Sequence, residues 1–441
     1  MTRQSVGLDK GGPSTIDRRR AGRATERVVA ATAIGFAGVF VALSLIAVAT
    51  PGEAGLGAWL PVHLLLAGAA TTAIAGVMPF FSAAIANAPP APGWLRFAAI
   101  LGVAFGALLV VGGRIASPAL VGGNAWFAGA GGVFFIAGLA LVGAATLLPL
   151  RFALGGRRVV MGFIYGMAVL NVVCGAMLAS LLLLGWLPAL QDWPALKPAH
   201  AWLNVFGFVS LVIAGSLLHL LPTVVGTRIG DSRASVVAYL GVATGPPIAA
   251  LGFILGVGWI ALAGALVMVI GALALSFYAL DVIRHAAHWT TDPTWHRFTA
   301  WSLIAAIGWF VVGSAIAAWI VFVGGASPAG WQLTPLIAPV FVGWVAQVLV
   351  GAWSHLVPAV GPGLPPRHAV QRRILGQLGT ARLTLLNVGV LLMLLGVLPN
   401  LSLLFGIGVA AVAVSGIAAV ALLAASLAVR EPPQGAGTLS A

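Results

Sequence analysis

Four of the eight histidines in this chain fall inside apolar stretches that are long enough to cross a membrane: His63, His200, His219 and His355. A neutral imidazole nitrogen is a common ligand for haem iron and for copper. Ionisable side chains are costly within a bilayer, so they are candidates for function by default. The four histidines therefore indicate a metal or haem site. The simpler alternative is a histidine bonded to water, a headgroup or a backbone carbonyl.

The four histidines fall at two depths. His63 and His200 lie near the outer ends of two helices that run in the same direction. His219 and His355 lie deeper, and each opens a His-Leu-x-Pro sequence at matching positions of its own helix. A shared metal or haem needs ligands at matching depth on neighbouring helices, so we predict all four as candidate ligands.

Glycine pairs recur in the same three helices as the histidines. Each pair is eight residues apart: Gly68 and Gly76, Gly207 and Gly215, Gly343 and Gly351. With 3.6 residues per turn, two such glycines lie on one face of a helix. That face admits either a neighbouring helix or a flat ligand such as a haem plane. Both interpretations stay open, and the six glycines are candidate cofactor contacts.

The elements that carry these residues are transmembrane helices. The chain is 61% hydrophobic and 7% charged, whereas soluble domains have about 25% charged residues. Apolar stretches of about 20 residues or more are needed to span a bilayer. Twelve are predicted, near residues 28–49, 57–87, 95–113, 125–149, 159–187, 199–225, 234–254, 256–283, 298–325, 332–359, 375–397 and 400–429. This transmembrane domain, 28–430, follows a disordered basic tail, 1–27, and precedes a short tail, 431–441.

The distribution of basic residues predicts the orientation. Of the 22 lysines and arginines, only Arg114 and Lys197 fall in segments outside the cytoplasm when both chain ends are cytoplasmic. The net charge of +13 therefore reports topology in a cytoplasmic (inner) membrane and not a nucleic acid partner. No Asp or Glu lies in the middle of a predicted span, which disfavours a proton pump or a cation-coupled carrier.

The helices that carry the glycine pairs are the second, sixth and tenth. A unit of four helices repeated three times therefore accounts for the pattern, with units near 28–149, 159–283 and 298–429. An even number of helices makes the units parallel, related by an axis along the membrane normal. The predicted fold is an all-α membrane bundle in which three parallel four-helix units form a pseudo-three-fold ring.

These features resemble those of a known family. Twelve helices in three parallel units are similar to subunit I of the haem–copper oxidase superfamily. The glycine pair followed by His-Leu-x-Pro in helices 6 and 10 resembles the haem-bearing helix of C-type oxidases. The NnrS family of haem and copper proteins has similar repeated helices. The sequence from Val348 to Ala352 also resembles an actinobacterial group described as copper oxidase-like.

The resemblance implies ligand roles for some residues and shows that other oxidase ligands are absent from this sequence. His63 resembles the haem ligand of oxidase helix II, and His200 resembles the copper ligand of helix VI. Leu336 and Ala338 stand where helix X of an oxidase has two histidines, and Thr244-Gly245-Pro246-Pro247 replaces a His-His copper pair.

The resemblance therefore implies a haem- or copper-binding membrane protein without the full oxygen-reducing ligand set. Its expected role is oxidoreductase-like, in electron transfer or in handling nitric oxide or another small gas. A redox partner protein, or a nitrite-reductase or oxidase component, would be its partner.

Two other functions stay open from the sequence. A cofactor-free transporter of a neutral solute would use the Gly-Pro-Pro break in helix 7 to expose carbonyls, and Asn204, Gln347 and Asn387 would line its path. Alternatively, the chain is an assembly subunit that has lost its cofactors, which the missing ligands favour.

Overall fold

A computed structural model of the protein describes residues 15–50, 56–117, 125–153, 156–227, 232–286, 297–327, 330–360 and 365–429. These residues form helices, and none of the described segments is a β-strand. The helices are α1 (Thr15–Ala49), α2 (Trp59–Ala86), α3 (Gly93–Ala116), α4 (Ala125–Leu150), α5 (Gly156–Leu183), α6 (Gln191–Val225), α7 (Arg233–Ile254), α8 (Gly258–His285), α9 (Arg297–Gly324), α10 (Thr334–Ala359), α11 in two pieces (Pro365–Leu375 and Gly379–Leu395) and α12 (Ser402–Leu427).

The lengths and compositions of these helices confirm the predicted class of fold. Within the described segments, 11 helices are long and apolar enough to cross a membrane, or up to 12 if the two pieces of α11 count as one span. An α-helix satisfies its own backbone hydrogen bonds, which lipid cannot do for it. The protein is a multi-pass membrane helical bundle.

The first helix begins earlier than the sequence predicted. Residues 1–27 were predicted to be a disordered tail, but α1 is helical from Thr15. Glu26 accounts for part of this extension, because its carboxylate accepts two hydrogen bonds of 2.7 Å from the guanidinium of Arg96 at the start of α3. Arg96 is only 2% exposed, so this buried ion pair holds α1 against α3 just before the predicted span 28–49. Residues 1–14 and the predicted tail 431–441 lie outside the described residues.

The eleventh helix is broken where a straight span was predicted at 375–397. Its two pieces differ in direction by 42°, and Leu378 between them adopts a left-handed backbone conformation with φ of 53°. The guanidinium of Arg382 donates to the carbonyls of Leu375 and Gln377, at 3.0 and 3.3 Å. These bonds satisfy carbonyl groups that the end of the first piece leaves without helical partners.

The six predicted glycines all pack against the first helix of their own predicted unit. A methyl group added at Gly207 or Gly343 would lie 2.8 Å from Asn171 or 2.5 Å from Trp309. The contact residues on the first helices are seven apart in every unit: Ala33 and Phe40 on α1, Ile164 and Asn171 on α5, Ser302 and Trp309 on α9. The same antiparallel helix contact therefore occurs three times.

A second contact recurs between the third and fourth helices of each predicted unit. Glycines seven apart meet the backbone of the next helix in α3, α7 and α11: Gly106 and Gly113, Gly245 and Gly252, Gly389 and Gly396. Small residues allow helix backbones to approach closely, which drives association in lipid. Both recurring contacts support the three-unit repeat, while the arrangement of the units about a common axis stays a prediction.

Helices α2, α6 and α10 are the most enclosed spans of the bundle. Their apolar stretches are 67%, 83% and 61% buried, against at most 56% in the other single spans. Each contains a π-helical segment: Leu64–Ala70, Trp202–Ser210 and Ile337–Ala346. Trp344 in α10 donates from its indole nitrogen to Ser210 of α6 at 3.0 Å, which joins two of these segments.

The glycine contacts predict a specific cost of added volume. Gly343→Ala should lower the free energy of unfolding by about 1–3 kcal/mol, because the new methyl group overlaps the ring of Trp309. Gly308→Ala is the matched control, since a methyl group there meets nothing within 4 Å. Denaturation of both variants in mixed detergent micelles measures the difference. Equal stability of the two variants would contradict the close contact.

The buried ion pair gives a second prediction. Glu26→Gln should lower the free energy of unfolding by about 2 kcal/mol, because Arg96 keeps its charge and loses a charged acceptor. Asp281→Asn is the control, since Asp281 pairs with His285 at an exposed site. Thermal unfolding in detergent should show a lower midpoint for Glu26→Gln alone. An unchanged midpoint would mean that the pair does not hold α1 to α3.

Candidate functional site

The structure brings together two of the four predicted histidines, His63 of α2 and His200 of α6. Their ring centroids are 6.3 Å apart and their planes are within 13° of parallel. His63 directly precedes the π-helical segment of α2, and His200 lies two residues before that of α6. Counted from the glycine pairs, the two histidines are two positions out of register, so their proximity is a property of the helix packing.

Hydrogen bonds fix the proton position on both rings. The Nδ1 atom of His63 lies 2.8 Å from the carbonyl oxygen of Trp59, and that of His200 lies 2.8 Å from the carbonyl oxygen of Gly175. A carbonyl oxygen only accepts, so each Nδ1 carries the proton and donates; the amide nitrogen of Asn204, 3.1 Å from His200 Nδ1, therefore makes no hydrogen bond to that atom. In the neutral ring the lone pair then lies on Nε2. Metal-binding histidines show this arrangement, with the second nitrogen held by a carbonyl.

Asn204 supports the orientation of His200. It lies one turn after His200 in α6, and its amide nitrogen donates to the His200 carbonyl at 2.7 Å. The same amide fills the space beside Gly175, where an added methyl group would lie 2.5 Å from it. Gly175 is therefore required twice, as a carbonyl acceptor for His200 and as room for Asn204. The spacing of four residues between His200 and Asn204 could have predicted their contact from the sequence. Nothing in the sequence indicated the role of Gly175.

Aromatic and basic side chains surround the pair. Trp59 stacks on His63 with centroids 4.1 Å apart, and Trp193 lies 5.8 Å from His200. The guanidinium carbon of Arg114 lies 5.9 Å from the centre of the Trp59 ring. His63 and His200 are half-buried as residues at this end of the bundle. The site is thus a half-open pair of histidines between tryptophans, not a sealed core position.

The other two predicted ligands do not join this pair in a larger cluster. His219 and His355 lie further along α6 and α10, both half-buried. Among the described residues, no group of three or more His, Cys, Asp or Glu side chains is placed to hold a metal ion. The role of His219 and His355 as ligands at their own depth stays a prediction. In α10, Leu336 and Ala338 are 2% and 1% exposed and supply no ligand.

The glycine faces do not fit a haem plane. Side chains of α1, α5 and α9 already occupy the space in front of all six glycines, including Phe40, Ile164 and Trp309. The prediction that Gly68, Gly76, Gly207, Gly215, Gly343 and Gly351 contact a cofactor therefore disagrees with the packing. The alternative of close helix contact describes these faces, because the neighbouring helices use the room that the missing side chains leave.

The polar path predicted for a transporter is also not assembled. Asn387 accepts from Trp309 at 2.7 Å, and Gln347 donates to the carbonyl of Ser302 at 3.3 Å. Each is bonded to its own unit, and Asn204 is committed to His200. Helix α7 is continuous through its two prolines, so the predicted break is absent from this described helix. Gly245 of α7 packs against α8 at the carbonyl of Gly264, so this part of α7 is covered by the neighbouring helix.

No family model and no curated protein matches this chain. The resemblance to haem–copper proteins therefore rests on the residues of this chain alone. The geometry of the histidine pair is the structural observation that bears on function.

The hydrogen bonds of the pair predict an unusual histidine tautomer. In protein labelled with ¹⁵N-histidine, His63 and His200 should give ring signals of the Nδ1-protonated neutral form, because both Nδ1 atoms face carbonyl oxygens. Magnetic resonance of the protein in lipid measures this directly. The His63→Ala/His200→Ala variant assigns the signals by removing them. Protonation at Nε2 in both residues would contradict the geometry.

Proposed function

We propose that this protein is a membrane metalloprotein in which His63 and His200 together bind one copper ion. The observation that carries the proposal is the parallel pair of rings at 6.3 Å, with both Nδ1 atoms held by carbonyl groups. The proposed role is electron transfer or the handling of nitric oxide or another small gas, as a relative of haem–copper oxidase subunit I and NnrS-like proteins.

The separation of the rings supports a shared ion. Two imidazoles that face each other across one ion, with metal–nitrogen bonds of about 2.0 Å and a nitrogen–metal–nitrogen angle of about 180°, have centroids roughly 6 Å apart. The distance between His63 and His200 is 6.3 Å. A direct ring stack needs no such gap, as the 4.1 Å contact between Trp59 and His63 shows.

The donor set favours copper over haem at this pair. Imidazole nitrogen suits copper, and the pair offers no carboxylate that would select a harder ion. The glycine faces of α2 and α6 are filled by side chains of α1 and α5, so these faces offer a porphyrin no room. When bound, copper supplies one-electron redox chemistry and an open position for a small ligand. The protein holds the two rings, fixes their tautomers and shields them with Trp59 and Trp193.

This site differs from the centres of an oxidase. The resemblance assigns His63 to a haem and His200 to a copper ion, which are two separate centres. Here the two rings are neighbours, and α10 contributes buried Leu336 and Ala338 instead of histidines. Reduction of oxygen to water by the oxidase mechanism is therefore not part of the proposal.

The charge distribution supports the orientation that goes with this role. We place the protein in the cytoplasmic membrane with both termini in the cytoplasm, because Arg114 and Lys197 are the two basic residues at the histidine end of the bundle. The copper site then faces the outer side. A redox partner, or a nitrite-reductase or oxidase component, would reach it from that side.

Metal analysis of purified variants tests the proposal. Protein produced with ample copper and haem should hold about one copper per chain, and His63→Ala or His200→Ala should each remove most of it, because a single imidazole is a weak site. His285→Ala is the matched control, since His285 is exposed at the opposite end of the bundle.

Absorption spectra of the oxidised and dithionite-reduced protein distinguish the cofactors. A Soret band that persists in both histidine variants would place haem elsewhere in the bundle. An unchanged copper content in both variants would show that His63 and His200 are not the metal ligands. Neither metal in the wild type, together with uptake of a neutral solute by proteoliposomes, would favour a transporter.

A further inference from the structure

An open cleft lies at the end of the bundle opposite the histidine pair, between α9, α10 and the two pieces of α11. Its volume is about 960 Å³, and its lining includes Arg297, Arg372 and Arg373 together with Trp301, Thr380 and Leu383. The lining thus combines basic side chains with apolar ones, among them Trp301 and Leu383. The cleft shares no residue with the proposed copper site.

The walls of the cleft are held by buried polar contacts. Arg382 is 4% exposed, and its guanidinium lies 4.1 Å from the ring centre of Phe298 in the cleft wall. Gln371, fully buried, donates to the Ser426 carbonyl at 3.1 Å and ties the first piece of α11 to α12. The opening between the two pieces of α11 is therefore a built feature of the fold.

Arg372 and Arg373 give the cleft positive charge. Arg372 and Arg373 are adjacent and exposed. The sequence contains no Asp or Glu from Phe298 to Arg430, which covers α9 to α12. The second piece of α11 begins at Gly379, and Gly379 and Thr380 line the cleft. The positive end of that helix adds to the attraction for an anion.

We propose that this cleft binds an anionic phospholipid. The headgroup phosphate lies against Arg372 and Arg373, and an acyl chain follows Trp301 and Leu383 toward the middle of the bilayer. Arginine forms strong, paired hydrogen bonds with phosphate oxygens, and basic pockets between transmembrane helices bind such headgroups. A soluble anion would contact the arginines but would not cover Trp301 and Leu383, the apolar side chains of the lining. This site is independent of the proposed copper function.

Lipid titration followed by native mass spectrometry tests the proposal on the intact chain. Wild-type protein should bind phosphatidylglycerol more tightly than phosphatidylcholine. Arg372→Gln/Arg373→Gln should weaken phosphatidylglycerol binding about tenfold, because two phosphate contacts are lost. Arg372→Lys/Arg373→Lys keeps the charge and should keep most of the preference, which guards against a folding defect.

Arg233→Gln/Arg284→Gln is the matched control, with the same loss of charge at exposed positions outside the cleft. It should leave the preference for phosphatidylglycerol intact. An equal loss in both double variants would overturn the proposal, because the preference would then reflect general surface charge. Displacement of the lipid by millimolar inorganic phosphate would also overturn it, since the site would then recognise a free anion.

Discussion

Close packing of neighbouring helices at glycine is the constraint on which the bundle depends. Lipid gives helices little hydrophobic reason to associate, so packing must supply the attraction. Glycines let α2, α6 and α10 lie directly on α1, α5 and α9. The histidine geometry follows from one of these contacts: Asn171 packs on Gly207, and one turn later on α5 the carbonyl of Gly175 accepts the hydrogen bond from His200.

Buried cations shape the bundle at its opposite end. Arg96 and Arg382 are 2% and 4% exposed, in a setting where an uncompensated charge is expensive. Glu26 compensates Arg96, which requires α1 to continue as a helix past the apolar stretch. Backbone carbonyls and the ring of Phe298 compensate Arg382, and the carbonyls are those that the break in α11 frees. Each of the two departures from the predicted helices thus lies beside a buried arginine.

Most of the fold was readable because lipid imposes a simple rule. A span needs an apolar run of about 20 residues, and almost every predicted run is a helix of the structure. The predicted boundary between the spans 234–254 and 256–283 is a turn in the structure, with Gly256 at φ of 68°. The break in α11 could not be read, because composition alone does not show that Arg382 folds back on Leu375.

The sequence by itself determined that the chain is a multi-pass helical bundle, which of its residues are able to bind a metal, and that glycine faces recur on α2, α6 and α10. It did not determine what those faces contact, since a haem plane and a neighbouring helix both need glycine at the same positions. Only the tertiary structure decided that protein fills them and that His63 and His200 lie side by side. The reason is physical: the distance between two rings depends on how separate helices pack, and no local pattern along either helix records it.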